Sequence, residues 1–139
     1  MPPLQRVARK IKRLQHRHHR EIDTRLGALG TTLSQWDALR HVAEHPDSST
    51  HDLAVRTFMT DQSFGALAIR LADLGLVERL PGPGRAVRHR ITAAGKQVLD
   101  RAAAVVDGVV AESFAPLDED EVAQLDHLLT KLLGPERTG

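Results

Sequence analysis

Hydrophobic residues recur at intervals of three and four near both ends of the chain, which is the spacing of an amphipathic helix. The first such stretch predicts a long helix that ends in the glycine-containing segment 27–30. Two more helices are predicted after residue 92. Thr92 is placed to cap one of them, and Asp118 and Glu121 have the spacing of a capping box for the other. The predicted apolar face of the first helix consists of Leu4, Val7, Ala8, Ile11, Leu14, His18, Ile22 and Leu26.

Shorter helical segments fill the middle of the chain. Ser34 is predicted to begin a second helix, with Asp37 at the capping-box position, and Pro46 is predicted to end it. Ser49 is predicted to cap a short third helix that directs Leu53 inward. The predicted inner face of the second helix consists of Trp36, Leu39, Val42 and Ala43.

A fourth helix and a hairpin follow. Thr60 or Asp61 is predicted to cap this helix, and Gly75 to close it in the left-handed conformation. The pattern then changes to that of strands, which are predicted at 76–80 and 86–92 around a Pro-Gly-Pro-Gly turn. The predicted buried positions of the fourth helix are Phe64, Leu67, Ala68, Leu71 and Leu74.

Three short helices followed by a two-stranded hairpin is the order of a winged helix-turn-helix. We therefore predict a mainly α fold with a small β-hairpin wing (α+β), in one domain over residues 1–139. The DNA-binding lobe is predicted at 33–92, and helical dimerisation regions at 4–30 and 93–133. The apolar stripes of these long helices have few partners within one chain, so a second copy is predicted to cover them.

The distribution of charge supports nucleic acid as a partner, although the net charge of +1 alone does not. Residues 1–20 hold seven Arg or Lys and no carboxylate, whereas residues 107–126 hold seven carboxylates and no Arg or Lys. We expect these two ends to meet at the dimer interface. Residues 79–96, which include the hairpin, add five basic residues and no acidic one.

Several classes of protein are disfavoured. The absence of cysteine excludes disulfides, thiol-based redox sensing and thiolate metal sites. No segment resembles a membrane span or a signal peptide, so a cytoplasmic protein without a membrane partner is expected. No glycine-rich phosphate loop, HExxH or nucleophile motif points to an enzyme or a cofactor. His16, His18 and His19 cannot converge from one helix, and His41, His45 and His51 could supply further ligands only if the fold happened to bring them together. No metal site is therefore expected, and His18 is expected to be buried and hydrogen-bonded.

Four short segments, taken together and in this order, resemble the MarR family. They are LSQWDAL from Leu33, DLA from Asp52, LADLGLVER from Leu71 and RITAAG from Arg90. The resemblance covers roughly residues 4–133. It implies a dimer formed by the first helix and the last two helices, and control by a small ligand bound between these helices and the DNA-binding lobe.

The resemblance also implies which residues read DNA. Gln62 suits a bidentate contact to adenine, Ile69 suits a thymine methyl, and Arg85 corresponds to the arginine at the tip of the family's wing. Arg88 and Arg90 alternate along the returning strand, so they share a face and suit phosphates. The family's usual aspartate two residues before the wing arginine is Pro83 here, and its frequent mid-helix basic residue is Ala66. The full implied set is Thr60, Asp61, Gln62, Ser63, Gly65, Ala66, Ile69, Arg70, Arg85, Arg88 and Arg90.

By position, the resemblance places an effector pocket among Ile11, Gln15, Arg17, His18, Trp36 and Arg40. Arg17 or Arg40 could pair with a small aromatic or anionic effector. The chain is therefore expected to be a sequence-specific, ligand-responsive repressor that binds double-stranded DNA as a homodimer at a pseudo-palindromic operator. The alternative is a non-enzymatic architectural or protein-interaction module without a small-molecule response. The basic hairpin favours DNA over a protein partner.

Overall fold

Helices dominate the computed structural model, which describes residues 3–82, 84 and 86–135. The described elements are α1 (Leu4–Gly27), α2 (Leu33–Glu44), β1 (Ser48–Ser49), α3 (Thr50–Arg56), α4 (Asp61–Asp73), β2 (Val77–Pro81), β3 (Val87–Ile91), α5 (Ala93–Phe114) and α6 (Glu119–Leu133). This order confirms the predicted mainly α fold with a hairpin wing. None of the described helices is both long enough and apolar enough to cross a membrane.

Side-chain caps set the start of three later helices, as predicted. The hydroxyl of Thr60 accepts a hydrogen bond at the first turn of α4, and that of Thr92 does so for α5. Asp118 and Glu121 form both bonds of a capping box at α6. Because such bonds involve residues three apart, the local sequence is enough to specify them.

The predicted start of α2 at Ser34 is wrong. Thr32 is the N-cap, and its hydroxyl accepts the backbone N–H of Gln35 at 3.1 Å. Ser34 lies inside the helix, and Asp37 pairs with Arg40 at 2.7 Å instead of closing a capping box. The shift follows from the extended backbone of Thr32, which directs its hydroxyl at the first turn.

One hydrophobic cluster holds α2, α3, α4 and the hairpin together. Its fully buried members on α4 are Phe64, Ala68 and Leu71, as predicted, whereas Leu74 is half exposed because it is the C-cap of the helix. Gly75 follows with φ +76°, which confirms the predicted left-handed closure. The complete buried cluster is Ala38, Leu39, Val42, Leu53, Ala54, Phe64, Ala68, Leu71 and Val77.

The sheet has three antiparallel strands in the order β1-β3-β2. β1 is a two-residue strand that the pattern did not predict, and it pairs with the middle of β3. His89 lies at this crossing with no exposed surface, edge-on to the ring of Phe64. Its Nδ1 donates to the carbonyl of Ser48 at 3.0 Å. The base of the wing is thus anchored through a buried imidazole.

The hairpin leads directly into α5 at a tight joint. The Thr92 hydroxyl donates to the Gly75 carbonyl at 2.6 Å, and its backbone N–H donates to the Leu76 carbonyl at 3.0 Å. Gly95, in the first turn of α5, lies so close to the Leu76 carbonyl that a Cβ there would collide with it. The start of α5 therefore packs directly on Gly75 and Leu76, which follow α4.

A second cluster joins α1 to α5. Ile22 and Leu26 of α1 pack against Ala102 and Val109 of α5, with Trp36 half-buried beside them. By contrast, α6 has no fully buried residue. Apolar side chains remain exposed on α1 and α6 in the single chain: Leu4, Val7, Ile11, Leu14, Val122, Leu128, Leu129, Leu132 and Leu133.

Candidate nucleic-acid interface and effector cavity

The outer face of α4 carries the predicted DNA-reading positions. Phe64, Ala68 and Leu71 turn inward, so the helical period turns the intervening residues outward. Gly65 is the exception, because it is half-buried and a Cβ there would contact the methyl group of Thr50. The exposed predicted positions are Thr60, Asp61, Gln62, Ser63, Ala66, Ile69 and Arg70.

Two of these positions already have partners within the chain. The Thr60 hydroxyl accepts the backbone N–H of Ser63 at 3.1 Å, so it serves first as the cap of α4. The Asp61 carboxylate binds Nδ1 of His51 on α3 at 2.9 Å, and this hydrogen bond raises the pKa of His51. A protonated His51 offsets the charge of Asp61, which would otherwise repel a phosphate. The sequence analysis missed His51, because nothing local links α3 to α4 at this point.

Gln62 and Arg70 are the longer polar readers that remain free, beside the exposed hydroxyl of Ser63. Within the described ranges, neither side chain makes a hydrogen bond or an ion pair. Both are exposed, and Ile69 between them is 48% exposed. The amide of Gln62, the guanidinium of Arg70 and the apolar side chain of Ile69 can therefore all reach a DNA groove. The N-terminus of α4 lies on the same surface and favours phosphate.

Arg88 and Arg90 lie on the outer face of β3, but both are engaged within the chain. The Arg90 Nε donates to the Asp47 carboxylate at 2.6 Å, which raises the pKa of Arg90 and lowers that of Asp47. Arg88 donates to the Pro81 carbonyl at 3.2 Å across the hairpin. Each arginine therefore has a partner within the chain, and its contact with phosphate stays a prediction.

The remaining predicted DNA contact, Arg85, belongs to the tip of the wing. Arg85 and Pro83 lie outside the described residues, so the role of Arg85 stays a prediction. On either side of the tip, the Gly82 N–H donates to the Ala86 carbonyl at 2.7 Å. Arg79, which the sequence analysis did not single out, is exposed on β2 and lines a shallow groove with Pro81 and Ala86. Its only sequence signal was the basic stretch 79–96.

A largely apolar cavity of about 400 Å³ lies between α1, the end of α5 and α6. Three of the six predicted pocket residues line it: Ile11, Gln15 and His18. His18 is half-buried, and its Nε2 is hydrogen-bonded to the Ser113 hydroxyl at 2.6 Å. The walls also include His19, Leu14, Ile22, Leu33, Phe114, Leu125 and Leu129.

The other three predicted pocket residues lie elsewhere. Arg17 faces a basic groove on the other side of α1, because consecutive helical residues differ by about 100° in direction. Arg40 stacks over the ring of Trp36 with 5.4 Å between its guanidinium carbon and the ring centroid. Neither of these two lines the cavity of Ile11 and His18, so the predicted arginine partner for an effector is absent from its described walls.

Known proteins match this chain in sequence and in fold. A sequence profile of the MarR family matches residues 29–86. The HTH-type transcriptional repressor Rv2887 of Mycobacterium tuberculosis is 31% identical over 114 residues, which are 81% of this chain and 82% of that protein. A crystal structure of Rv2887 in complex with p-aminosalicylic acid superposes with a TM-score of 0.76 at 28% identity, over 96% of this chain and all of the other.

A second solved structure, a mutant of MarR from E. coli complexed with operator DNA, has a TM-score of 0.82 at 25% identity. The match covers 92% of this chain and 94% of that one. Together with the capped, outward-facing α4 and the hairpin wing, these similarities confirm the resemblance drawn from the four short segments. The chain belongs to the MarR family of DNA-binding transcriptional regulators.

Proposed function

We propose that the chain is a ligand-responsive repressor that acts as a homodimer on a pseudo-palindromic operator in the cytoplasm, by binding rather than by catalysis. The observation that carries this proposal is the outer face of α4, where Gln62 and Arg70 stay free beside a capped helix N-terminus. The apolar surfaces of α1 and α6 support the homodimer, since exposed stripes of this size call for a partner. Relatives named as repressors support the direction of control.

In this proposal, each protomer places α4 in a major groove, with the two helices about one turn of DNA apart. Gln62 reads an adenine and Ile69 meets a thymine methyl, while Arg70 and Ser63 contact phosphates or base edges. Arg85 enters the neighbouring minor groove. With so few polar readers on α4, phosphate contacts contribute most of the affinity.

We further propose that the cavity between α1, α5 and α6 binds a small aromatic acid. Rv2887 has been solved with both p-aminosalicylic and salicylic acid, and this cavity offers the polar side chains of Gln15, His18 and His19 in otherwise apolar walls. Gln15 and His18 would hold the polar groups of the ligand, and Phe114 and Leu33 its ring. A ligand that fits one dimer geometry better than the other shifts the population between them.

Selection of bound duplexes from a random DNA pool, at two salt concentrations, tests the DNA function. We expect enrichment of an inverted repeat with half-sites about 10 base pairs apart. Salt-sensitive binding without enrichment would indicate an architectural protein instead. Absence of binding at both salt concentrations would favour a protein-interaction module.

Titration with salicylate tests the effector site. We expect salicylate to release the selected duplex from the wild-type protein and to bind with a heat signal that His18→Leu and Gln15→Leu reduce. Arg17→Gln is the matched control, because Arg17 is next to His18 in sequence but faces away from the cavity. Equal loss of binding in Arg17→Gln would place the ligand on the basic groove of α1.

A further inference from the structure

The last turn of α2 brings two imidazoles and a carboxylate together. His41 in the last turn and His45 at the C-cap are four residues apart and therefore lie on one side of the helix end, with Glu44 next to His45 in sequence. One ring nitrogen of each histidine and one carboxylate oxygen of Glu44 lie within 4.8 Å of one another. The two rings are nearly parallel, with centroids 6.3 Å apart. This histidine–glutamate cluster is separate from the α4 surface and from the cavity lined by His18.

The chemistry of the cluster matches a metal site. Two neutral imidazoles and a carboxylate are a ligand set that zinc uses with water in the fourth position. Nδ1 of His41 is buried and has no hydrogen-bond partner among the described residues, although buried polar atoms nearly always have one.

Neighbouring charges both support and oppose an ion here. The carboxylate of Asp37 lies 3.7 Å from Nε2 of His41, where it can orient the imidazole as carboxylates do around bound metals. Arg40 opposes the ion, since its guanidinium lies 3.6 Å from Glu44 and 3.4 Å from Nε2 of His41. Its stronger contact is to Asp37 at 2.7 Å, and this pair can persist when Glu44 turns toward an ion.

We propose that His41, Glu44 and His45 bind a divalent transition-metal ion of the zinc class. Tetrahedral ligands lie about 3.3 Å apart when each is about 2.0–2.1 Å from the ion. The three ligand atoms lie within 4.8 Å of one another without an ion, so side-chain rotations, including that of the half-exposed Glu44, are needed to reach that spacing. The ion fixes the end of α2, and the Ser48 hydroxyl, which donates to the His45 carbonyl at 2.8 Å, links this point to the sheet.

Calorimetric titration of the untagged protein with Zn²⁺ tests the proposal. The chain has no cysteine, so no thiolate competes for the ion. We expect one high-affinity ion per chain and a higher unfolding temperature when it is bound.

His45→Gln and Glu44→Gln should weaken binding by about tenfold or more, because each removes a ligand. Arg40→Gln should tighten binding, because it removes the competing cation. The control is His16→Gln, which removes an exposed helical imidazole far along the sequence and should change nothing.

Co²⁺ provides an independent readout of the ligands. We expect the visible spectrum of a tetrahedral site with nitrogen and oxygen ligands, and we expect His45→Gln to abolish it. Because His45 and Glu44 lie at the end of α2 outside the buried cluster, these variants keep the fold, as circular dichroism can verify. Equal Zn²⁺ affinity in His45→Gln and wild type would overturn the proposal, as would the absence of a stoichiometric ion.

Discussion

At the scale of single residues, Phe58 stands in an unfavourable conformation. It lies in the turn between α3 and α4 with φ +58°, and it is 98% exposed. Bulky residues rarely adopt a left-handed backbone, and no packing offsets the cost at this site. We expect Phe58→Gly to raise the free energy of unfolding by about 1 kcal/mol, measured by urea denaturation. Val55→Ala removes a neighbouring exposed side chain from an ordinary helical backbone and should stay within about 0.5 kcal/mol of wild type.

His89 makes folding stability depend on pH. Burial lowers its pKa in the folded protein, so the unfolded chain takes up a proton first as the pH falls. The free energy of unfolding should therefore decrease as the pH is lowered through about 6.5, the pKa of an unperturbed histidine. The decrease should end once the pH is below the folded-state pKa. His41 shifts in the same direction, whereas the raised pKa of His51 adds stability at low pH that is lost as the pH rises.

The variant His89→Asn isolates this contribution. Asparagine can still donate to the Ser48 carbonyl, but it does not titrate, so the dependence of the urea midpoint on pH between pH 7 and 5 should become shallower. His16→Gln is the control for an exposed histidine. An unchanged pH dependence in His89→Asn would assign the acid sensitivity to other groups, first of all to His41.

At the scale of the elements, α4 and the wing should affect DNA binding differently. Gln62→Ala should reduce discrimination at one base pair by about 1–3 kcal/mol while nearby sites still bind. Arg85→Ala should weaken binding to every sequence and lower the salt slope by about 1. Arg90→Gln should leave the salt slope near that of wild type, because Arg90 pairs with Asp47. Filter binding at several salt concentrations separates these outcomes. A lower slope in Arg90→Gln would show that this arginine leaves Asp47 when DNA binds.

Most elements were predicted from the sequence pattern, because the interactions that define them join residues close together in the chain. The caps at Thr60, Thr92 and Asp118 each depend on residues three apart, and the inward face of α4 follows from the helical period. β1 escaped prediction because two serines carry no periodic signal and pair with a strand about forty residues later. The start of α2 was misplaced because Thr32 and Ser34 are both good caps, and tertiary packing decides between them.

The candidate site was predictable only in its outline. The period of α4 identified which side chains face outward, but it could not show that Asp61 binds His51 or that Arg90 binds Asp47. The first pair joins consecutive helices and the second joins residues 43 apart in sequence, so neither follows from the period of a single helix. The same limit explains Arg40, since the positions of the cavity walls depend on how α1, α5 and α6 pack. Arg17 differs, because the helical period alone separates it from its neighbour His18.

At the scale of the whole molecule, the exposed leucines of α6 should control assembly. Leu128→Glu places a carboxylate in the apolar surface that a second copy is proposed to cover, and a buried unpaired charge is costly. We expect the variant to sediment as a monomer and to lose binding to a two-half-site duplex. His127→Glu adds the same charge on the opposite side of α6 and should remain dimeric. A dimeric Leu128→Glu would mean that the two copies meet through another surface.

The joint at the start of α5 has a mechanical consequence. The Thr92 hydroxyl donates to the Gly75 carbonyl just after α4, and Gly95 leaves no gap between α5 and the Leu76 carbonyl. The joint between the two helices is therefore tightly packed. We expect the long helix α5 and the DNA-binding helix α4 of each protomer to move together as one arm. A slight change in the angle between two such arms alters the distance between the two α4 helices much more than it alters distances near the proposed dimer interface. We therefore expect release of DNA to require a change in the angle between the arms rather than bending within either of them.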